Sequence, residues 1–419
     1  MWRFWQSPKL SFTGRYTFRY HIRAAVLEGA WNGILMTNDV VARKTLGASP
    51  FWITVLTMGP AVALLFSIYW TRFMEGRQRR DWFLWSGLFG RLVLMVIALG
   101  TGPVSFTLLI LWTSLTAALI LPLQNALYQA NYSVLERGRL FSRTASVSAL
   151  CALVVSFLTG ILYDRWPEAY RIVYPAAAVL GFLSCYMFFK VRVRALEQAP
   201  KRDGEKQHFV TEAWALLRRD RFFARYEMSF MVYGTAFMML QPLIPLFLVD
   251  ALRADYRQAF QAKAVIYQLV TVVAAPLFGW FLDRSDPVRL VRFVYAGLAL
   301  FPLTLYFTGG IGMAYLAFFL FGFAMAGLNV CWTLGPIHFA GRRDSSDYMG
   351  IHVTLAGVRG CYAHFLGLVL FRVCGEYRTP FLVSAGLFLV AALMAETLHR
   401  DYRPPAPAGG GAPREESGG

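Results

Sequence analysis

The chain has 419 residues, of which 57% are hydrophobic, 16% aromatic and 16% charged, and its mean hydropathy is +0.46. Soluble domains carry about a quarter charged residues, so a soluble multidomain protein is excluded, and the aromatic content excludes disorder over most of the length. The net charge of +17 suits nucleic-acid binding if it lies on one folded surface, or a membrane protein if it lies in loops on one side.

The sequence begins with a basic and aromatic segment, residues 1–21, which we expect to lie at a membrane interface. Apolar runs then recur at close to the length of about 20 residues that a bilayer-crossing helix needs. The 12 candidate spans are residues 22–42, 51–71, 82–101, 104–130, 144–163, 170–190, 224–249, 260–282, 290–308, 313–338, 349–371 and 380–398. These runs are too continuous for a membrane barrel, so they predict an all-α polytopic membrane protein.

A long polar stretch separates the spans into two sets of six. It covers residues 191–223 and divides a bundle at 22–190 from a second bundle at 224–399. Its second part has the apolar spacing of an amphipathic helix that can lie along the membrane surface. Residues 400–419 are rich in Pro and Gly and are expected to be disordered.

The basic residues are distributed unevenly between the two sides of the predicted membrane. If the N-terminus is inside, the inner segments hold 30 Lys and Arg and the outer loops hold 9, with Arg91 and Arg359 left within spans. Because positive charge accumulates on the cytoplasmic side, both termini are predicted to lie in the cytoplasm of a multi-pass inner (plasma) membrane protein. This asymmetry explains the basic excess without a nucleic-acid partner.

The two halves show a weak internal repeat, which is typical of transporters built from duplicated bundles. Three pairs of positions match at offsets of 211, 212 and 214 residues: Asp39 with Asp250, Arg72 with Arg284, and Pro122 with Pro336.

The loop after the eighth span carries a motif with glycine, aspartate and arginine at fixed spacing: Gly279, Asp283, Arg284 and Arg289. It resembles the loop signature of the major facilitator superfamily (MFS), G-x-x-x-D-R-x-x-x-x-R. The first copy should follow the second span, but there Ser67 stands where the signature has its first Gly and Thr71 where it has Asp, so only the basic part that includes Arg72 survives. The resemblance implies the MFS fold, two six-helix halves that move about a central site.

The resemblance also implies a gating role for the signature residues. The glycine would let two helices approach closely, and Asp283 would latch the halves through a helix N-terminus or through Arg137 or Arg139. A helix-ending charge pair that only fixes topology is the simpler alternative. The expected gating residues are Arg72, Gly76, Gly279, Asp283 and Arg284.

In the MFS fold the first, fourth, seventh and tenth spans line the cavity, and polar residues inside spans are candidates for function. Helical spacing places Glu28, Asn32 and Asp39 on one face of the first span. A buried Glu28 carboxyl could carry a proton, which would make transport a proton symport, or it could be a structural partner of Arg91 or Arg359.

Amide and aromatic side chains on the other cavity-lining spans suit a polar organic solute, although they could equally join helices by hydrogen bonds. They are Asn125 and Gln129 on the fourth span, Tyr233 and Gln241 on the seventh, and Asn329 and Trp332 on the tenth. On the eleventh span, His352 and Arg359 share a face, and Arg359 can bind an anionic substrate, neutralise Glu28 or serve structure alone.

The sequence therefore predicts a secondary active transporter of a small solute that works by alternating access, as a monomer in a lipid bilayer and without cofactor or metal. The five scattered cysteines suggest no disulfide framework, and motifs of soluble catalysis are not found. Two alternatives remain open. One is a membrane enzyme acting on lipid, for which His338, Asp344 and Asp347 are the nearest candidates, and the other is a scaffold or sensor with a transporter fold.

Overall fold

The structure, a computed structural model, describes residues 11–73, 79–191, 209–282, 284–340 and 345–402, and every regular element among them is a helix. The first half contains α1 (Phe12–Leu35), α2 (Asn38–Lys44), α3 (Pro50–Phe73), α4 (Arg79–Trp85), α5 (Pro103–Ala117), α6 (Ile120–Asn131), α7 (Val134–Arg165) and α8 (Tyr170–Phe189). After α4 the chain stays helical through a π-helical segment, Ser86–Arg91, and a 3-10 segment, Leu92–Leu99.

The second half follows α9 (Phe209–Arg219), which lies where the apolar spacing predicted an amphipathic helix. Its helices are α10 (Arg221–Leu240), α11 (Leu243–Leu246), α12 (Tyr256–Phe260), α13 (Tyr267–Leu282), α14 (Pro287–Tyr306), α15 (Ile311–Ala340), α16 (Ser345–Cys374) and α17 (Arg378–Asp401). The π-helical segments Phe247–Ala251 and Gln261–Ile266 extend α11 and α12.

The all-helical membrane fold class is confirmed. Among the described residues, nine helical stretches are long and apolar enough to cross a bilayer, and Pro50–Phe66 and Pro103–Ala117 are shorter apolar helices. The helix α1, whose polar residues include Glu28 and Asn32, is not among these stretches, and it covers residues 22–35 of the first predicted span.

The first predicted span is not one continuous helix. It breaks at Met36 and Thr37, and the Thr37 hydroxyl donates to the Ile34 carbonyl, 3.3 Å away, at the end of α1. The single helix on which the predicted common face was based therefore ends at Leu35, and Asp39 belongs to the first turn of a second helix.

Small residues allow α1 to pack tightly within the first half. A Cβ atom on Gly29 would lie 2.3 Å from the Ser148 carbonyl oxygen of α7, and one on Gly33 would lie 2.5 Å from that of Ala152. Helices in a bilayer associate through such close backbone approach rather than through the hydrophobic effect. One side of α1 is thus fixed against α7, and α8 packs on it as well.

The bundle has two ends, which we name after short helices. The α2 end carries α2 and the connections at 45–49, 252–255 and 375–377, and the α9 end carries α9 and the start of α10. Between the halves, α3 packs against α16, and α7 packs against α12 and α13. A set of hydrogen bonds and ion pairs joins described residues of the two halves at the α2 end.

Candidate functional site

Glu28 of the first half is bound by an arginine inside the same half. The Arg91 guanidinium donates from Nη1 and Nη2 to the two Glu28 carboxylate oxygens at 2.5 and 2.8 Å, and the Ser184 hydroxyl donates to Oε2 at 2.8 Å. Arg91 also donates to the Gly181 carbonyl at 3.1 Å. This two-pronged geometry is the strong form of a charge-assisted pair. The contact corresponds to the structural alternative for Glu28 that the sequence left open.

The other polar candidates of the first half are less enclosed. Asn32 is exposed, on α1, one turn after Glu28. Asn125 and Gln129 lie on α6, but their side chains fall outside the described part of the structure.

The second half contains the other intramembrane arginine, Arg359, and it is 1% exposed. Its Nη1 donates to the Phe230 carbonyl at 2.6 Å, and its Nη2 lies 3.5 Å from the Tyr233 hydroxyl. The guanidinium carbon lies 4.0 Å from the centre of the Phe230 ring. The position depends on Gly234, because a Cβ atom there would lie 1.9 Å from the guanidinium carbon.

Arg359 differs from Arg91 in its charge environment. No described Asp or Glu oxygen lies within ion-pair distance of Arg359, and its Nε has no hydrogen-bond partner among the described residues. Arg359 is therefore a buried cation held by a carbonyl and by aromatic rings, whereas Arg91 has its carboxylate. The alternative in which Arg359 neutralises Glu28 is not what the structure shows, since Arg91 occupies that position.

A second buried ionisable pair lies beside Arg359, and our sequence reasoning did not single it out as a pair. Glu227 of α10 and His352 of α16 are 2% and 0% exposed, and the distance between Oε1 and Nδ1 is 2.8 Å. Glu227 Oε2 and His352 Nε2 have no hydrogen-bond partner within the described ranges. The sequence did carry a signal, because Glu227 is an acid inside a predicted span and stands seven residues before Gly234, as His352 stands seven before Arg359.

The aromatic candidates gather around these groups. Tyr233 is buried and its ring stacks on that of Tyr295 at 4.6 Å between centroids. Trp332 is partly buried, and its ring lies 4.6 Å from the His352 ring and 5.2 Å from that of Phe230. Of the predicted residues, Tyr233, Trp332 and Arg359 thus form one cluster.

The remaining two candidates of the second half lie outside that cluster. Asn329 is exposed on α15, one turn before Trp332, and Gln241 is partly buried at the end of α10.

The α2 end is closed by ion pairs between the halves. Asp39, which is 3% exposed, binds the Lys263 ammonium of the second half. Asp250 of the second half binds the Arg43 guanidinium of the first, with Nη2 to Oδ2 at 2.9 Å. These two aspartates are the ones that match across the internal repeat, and each binds a cation of the opposite half.

Further contacts reinforce the same end. Lys44 donates to the Ala254 carbonyl and lies 4.7 Å from the centre of the Tyr256 ring. Burial lowers the pKa of the Lys44 ammonium, while the charges of Asp164 and Asp255 oppose that shift. Asp164 also accepts the Tyr256 backbone N–H at 2.7 Å, so a carboxylate of α7 caps α12 of the other half.

The signature loop is described only in part. Arg72 lies on α3 with its side chain outside the described residues, and Gly76 and Asp283 are not described. A Cβ atom on Gly279 would meet no described atom within 4 Å, so no described helix approaches this glycine closely. Arg284 donates to the Trp280 carbonyl at 3.2 Å and covers the Trp280 ring.

Comparison with known proteins identifies the fold. A family model described as Major Facilitator Superfamily matches residues 24–364. A mutant of the nucleoside transporter NupG aligns with a TM-score of 0.74 and 14% identity, over 91% of this chain and 99% of that chain. An auto-inhibited POT family peptide transporter aligns with a TM-score of 0.72 and 11% identity, over 92% of this chain and 97% of that chain.

One curated relative matches over a shorter range. It is the "Nitrite extrusion protein" of Bacillus subtilis (strain 168), which is 24% identical over 173 residues, or 39% of this chain and 41% of the relative. The chain thus matches about two fifths of that relative's length.

The family match confirms the resemblance first drawn from the loop after the eighth span. Proteins of this family are transporters and not enzymes, so the alternative of a lipid-modifying enzyme is set aside. The helical fold, the family model and the solved structures agree, and this chain is a secondary transporter that belongs to the Major Facilitator Superfamily.

Proposed function

We propose that this protein moves a small anion across the membrane by alternating access. The observation that carries the proposal is Arg359, a cation that is 1% exposed and has no carboxylate partner in the described structure. A buried charge is costly unless it is paired, and an anionic solute would supply the missing partner. The printed name of the Bacillus subtilis relative, a nitrite extrusion protein, supports a small anion as the substrate class.

The contacts between the halves support alternating access. The ion pairs of Asp39 and Asp250 hold the halves together at the α2 end. An opening at that end would require both pairs to separate, and rocking of the halves about a central site is how such repeats work. We infer from the excess of basic residues in the predicted inner segments that the α2 end faces outward, with both termini in the cytoplasm of the plasma membrane.

Coupling to protons is part of the proposal, but Glu28 is poorly suited to it. Its carboxylate accepts three hydrogen bonds from Arg91 and Ser184, and each of these favours the ionised form. Protonation of Glu28 would leave Arg91, 4% exposed, without its counter-charge. We therefore assign Glu28 and Arg91 to the rigid interior of the first half.

The proposal is tested by counterflow in proteoliposomes that contain the purified full chain. Labelled nitrite, nitrate, formate and lactate are the probes, with uridine as an uncharged comparator. We expect exchange of at least one anion, lost in Arg359→Gln and retained in Arg292→Gln, which removes an arginine at the α9 end paired with Glu396. Exchange of uridine alone would contradict the anion assignment, and a scaffold or sensor would exchange none of the probes.

A further inference from the structure

The buried pair of Glu227 and His352 has a chemistry that the anion proposal does not use. Its two side chains are 2% and 0% exposed and come from α10 and α16. Oε1 and Nδ1 are joined at 2.8 Å, and the outer atom of each group, Oε2 and Nε2, lacks a partner among the described residues. Enclosed polar atoms are nearly always paired in proteins, so two orphaned atoms on one titratable pair indicate a function.

Helix geometry fixes the relation of this pair to Arg359. Both α10 and α16 start at the α9 end, and Glu227 precedes Gly234 by the same seven residues by which His352 precedes Arg359. Seven residues are about two helical turns, or roughly 10 Å along the axis. Glu227 contacts His352 and Gly234 contacts Arg359, so the two contacts lie at successive levels of one helix interface.

Apart from Arg359, the titratable groups around the pair carry no charge at neutral pH. They are Tyr226 and Tyr233 of α10, Tyr295 of α14, which stacks on Tyr233, and Cys331 of α15. Tyrosine and cysteine ordinarily ionise at about pH 10 and 8.5. Arg359 of α16 is therefore the fixed positive charge near the pair.

We propose that Glu227 and His352 together form the proton-carrying site of this transporter, and that Arg359 makes the protonated site selective for an anion. With Glu227 ionised and a neutral His352 donating from Nδ1, these three side chains carry no net charge. A proton taken from water onto His352 Nε2 raises their total to one positive charge, and a monovalent anion restores neutrality. One proton and one anion then cross together, and both leave on the opposite side.

This assignment places the coupling between protons and the anion in the second half of the protein, and it rests on the proposed function. The protons belong to the pair rather than to either residue, because two groups in direct contact titrate together. The Trp332 ring lies 4.6 Å from the His352 imidazole. Asn329 and Thr333, on the same helix as Trp332, are exposed. Trp332 is thus the nearest optical reporter of the site.

Transport driven by a pH gradient tests the proposal. Nitrate is the probe, because its acid is strong and does not redistribute across lipid by itself. With one pH unit across proteoliposomes, alkaline inside and with the membrane potential clamped, the unaltered protein should accumulate nitrate about tenfold. In Glu227→Gln, which leaves the positive charge of Arg359 at the site, the ratio should fall to about one while nitrate counterflow at equal pH persists. In His352→Gln, where Glu227 and Arg359 carry no net charge, both the ratio and the counterflow should fall. Glu396→Gln, which removes an acid bound to Arg292 and Arg400, should accumulate nitrate normally.

The outcomes separate the two proposals. Accumulation in both variants that equals the unaltered protein would overturn the role of the pair. Counterflow without accumulation in the unaltered protein would overturn proton coupling but leave anion transport standing. Absence of counterflow would contradict the transport proposal. Protonation of the pair is then tested by a fluorescence measurement that needs no solute.

That measurement uses Trp332 fluorescence, because a protonated imidazole quenches an indole ring in contact with it. The difference between the unaltered protein and Trp332→Phe isolates one of 12 tryptophans. We expect this difference to fall as the pH is lowered, because the proposal places a proton on His352. His352→Gln should abolish the pH dependence and Glu227→Gln should alter it. A flat profile in the unaltered protein would overturn the proposal.

Discussion

Removal of the Asp39 charge should open the α2 end of the transporter. Asp39 is 3% exposed and binds Lys263 across the two halves, so Asp39→Asn weakens the state that is closed at this end and leaves other conformations unaffected. The equilibrium should therefore shift toward a state in which the halves separate at the α2 end. The same reasoning applies to Asp250→Asn, which removes the partner of Arg43.

The exposure of the partners sets the size of each shift. The side chains of Arg43 and Asp250 are 25% and 32% exposed, and such a pair contributes about 0.2 to 1 kcal/mol, or less than about fivefold in the equilibrium. The side chains of Lys263 and Asp39 are 16% and 4% exposed. Breaking this pair should cost an amount between the exposed and fully buried limits, about 1 to 3 kcal/mol, which changes the equilibrium about 5- to 150-fold.

Electron–electron distance measurements between spin labels at Leu99 and Phe307 check the shift. Both side chains are exposed, at 84% and 69%, and they stand at the α2 ends of the two halves. The exposed Cys361 and Cys374 are first replaced by serine.

The matched control for these measurements is Asp401→Asn, because Asp401 binds Arg225 within one half and should leave the distances unchanged. The reasoning is refuted if Asp39→Asn leaves the distribution as it is, or if Asp250→Asn shifts it further than Asp39→Asn.

Three other outcomes are expected. Gly234→Ala should destabilise the protein by about 1 to 3 kcal/mol, because the new methyl would lie 1.9 Å from the Arg359 guanidinium, and thermal unfolding in detergent measures the loss. Glu28→Gln should cost about 1 to 3 kcal/mol in the same assay, since it leaves the buried Arg91 without a carboxylate, although the Glu28 side chain itself is 25% exposed. A cysteine at the exposed Gly309 of the α2 end should react with an impermeant thiol reagent added to intact cells.

Each of these outcomes has a control. Gly386→Ala adds a methyl where nothing lies within 4 Å, and it should leave the unfolding temperature nearly unchanged. The double change Glu28→Gln with Arg91→Gln should recover part of the stability lost in the single variant, and equal losses would contradict the pairing argument. A cysteine at Arg219 of α9 should react only after the cells are permeabilised, and the opposite labelling pattern would invert the proposed orientation.

The sequence predicted the membrane fold well, because the length and apolarity of a span are local properties. It did not predict the break at Met36 and Thr37. Neither residue is Gly or Pro, the usual signals of interruption, so the sequence pattern predicted one helix that continues through them to Asp39. The ion pair that Asp39 makes instead joins residues 224 positions apart, and local pattern carries no information about such a contact.

The site was predicted in part. Arg359 and Tyr233 were identified as intramembrane polar groups, and the structure places them in contact. Glu227 is not among the predicted residues; it stands two residues after Arg225, close to the predicted start of the seventh span. Only the packing of α10 on α16 shows that its carboxylate is enclosed and meets His352, 125 residues later in the chain.

The closure at the α2 end also has a consequence for biosynthesis. Arg43 and Asp250 are separated by 207 residues, and a ribosome adds about 5 to 20 residues per second. Asp250 is therefore synthesised about 10 to 40 s after Arg43. The interval between Asp39 and Lys263 is longer, because these residues are 224 positions apart. During that interval the first bundle is in the membrane with an unneutralised acid at its rim. Newly made chains arrested before residue 250 should therefore be bound by membrane chaperones at this rim, and release should coincide with the emergence of Lys263.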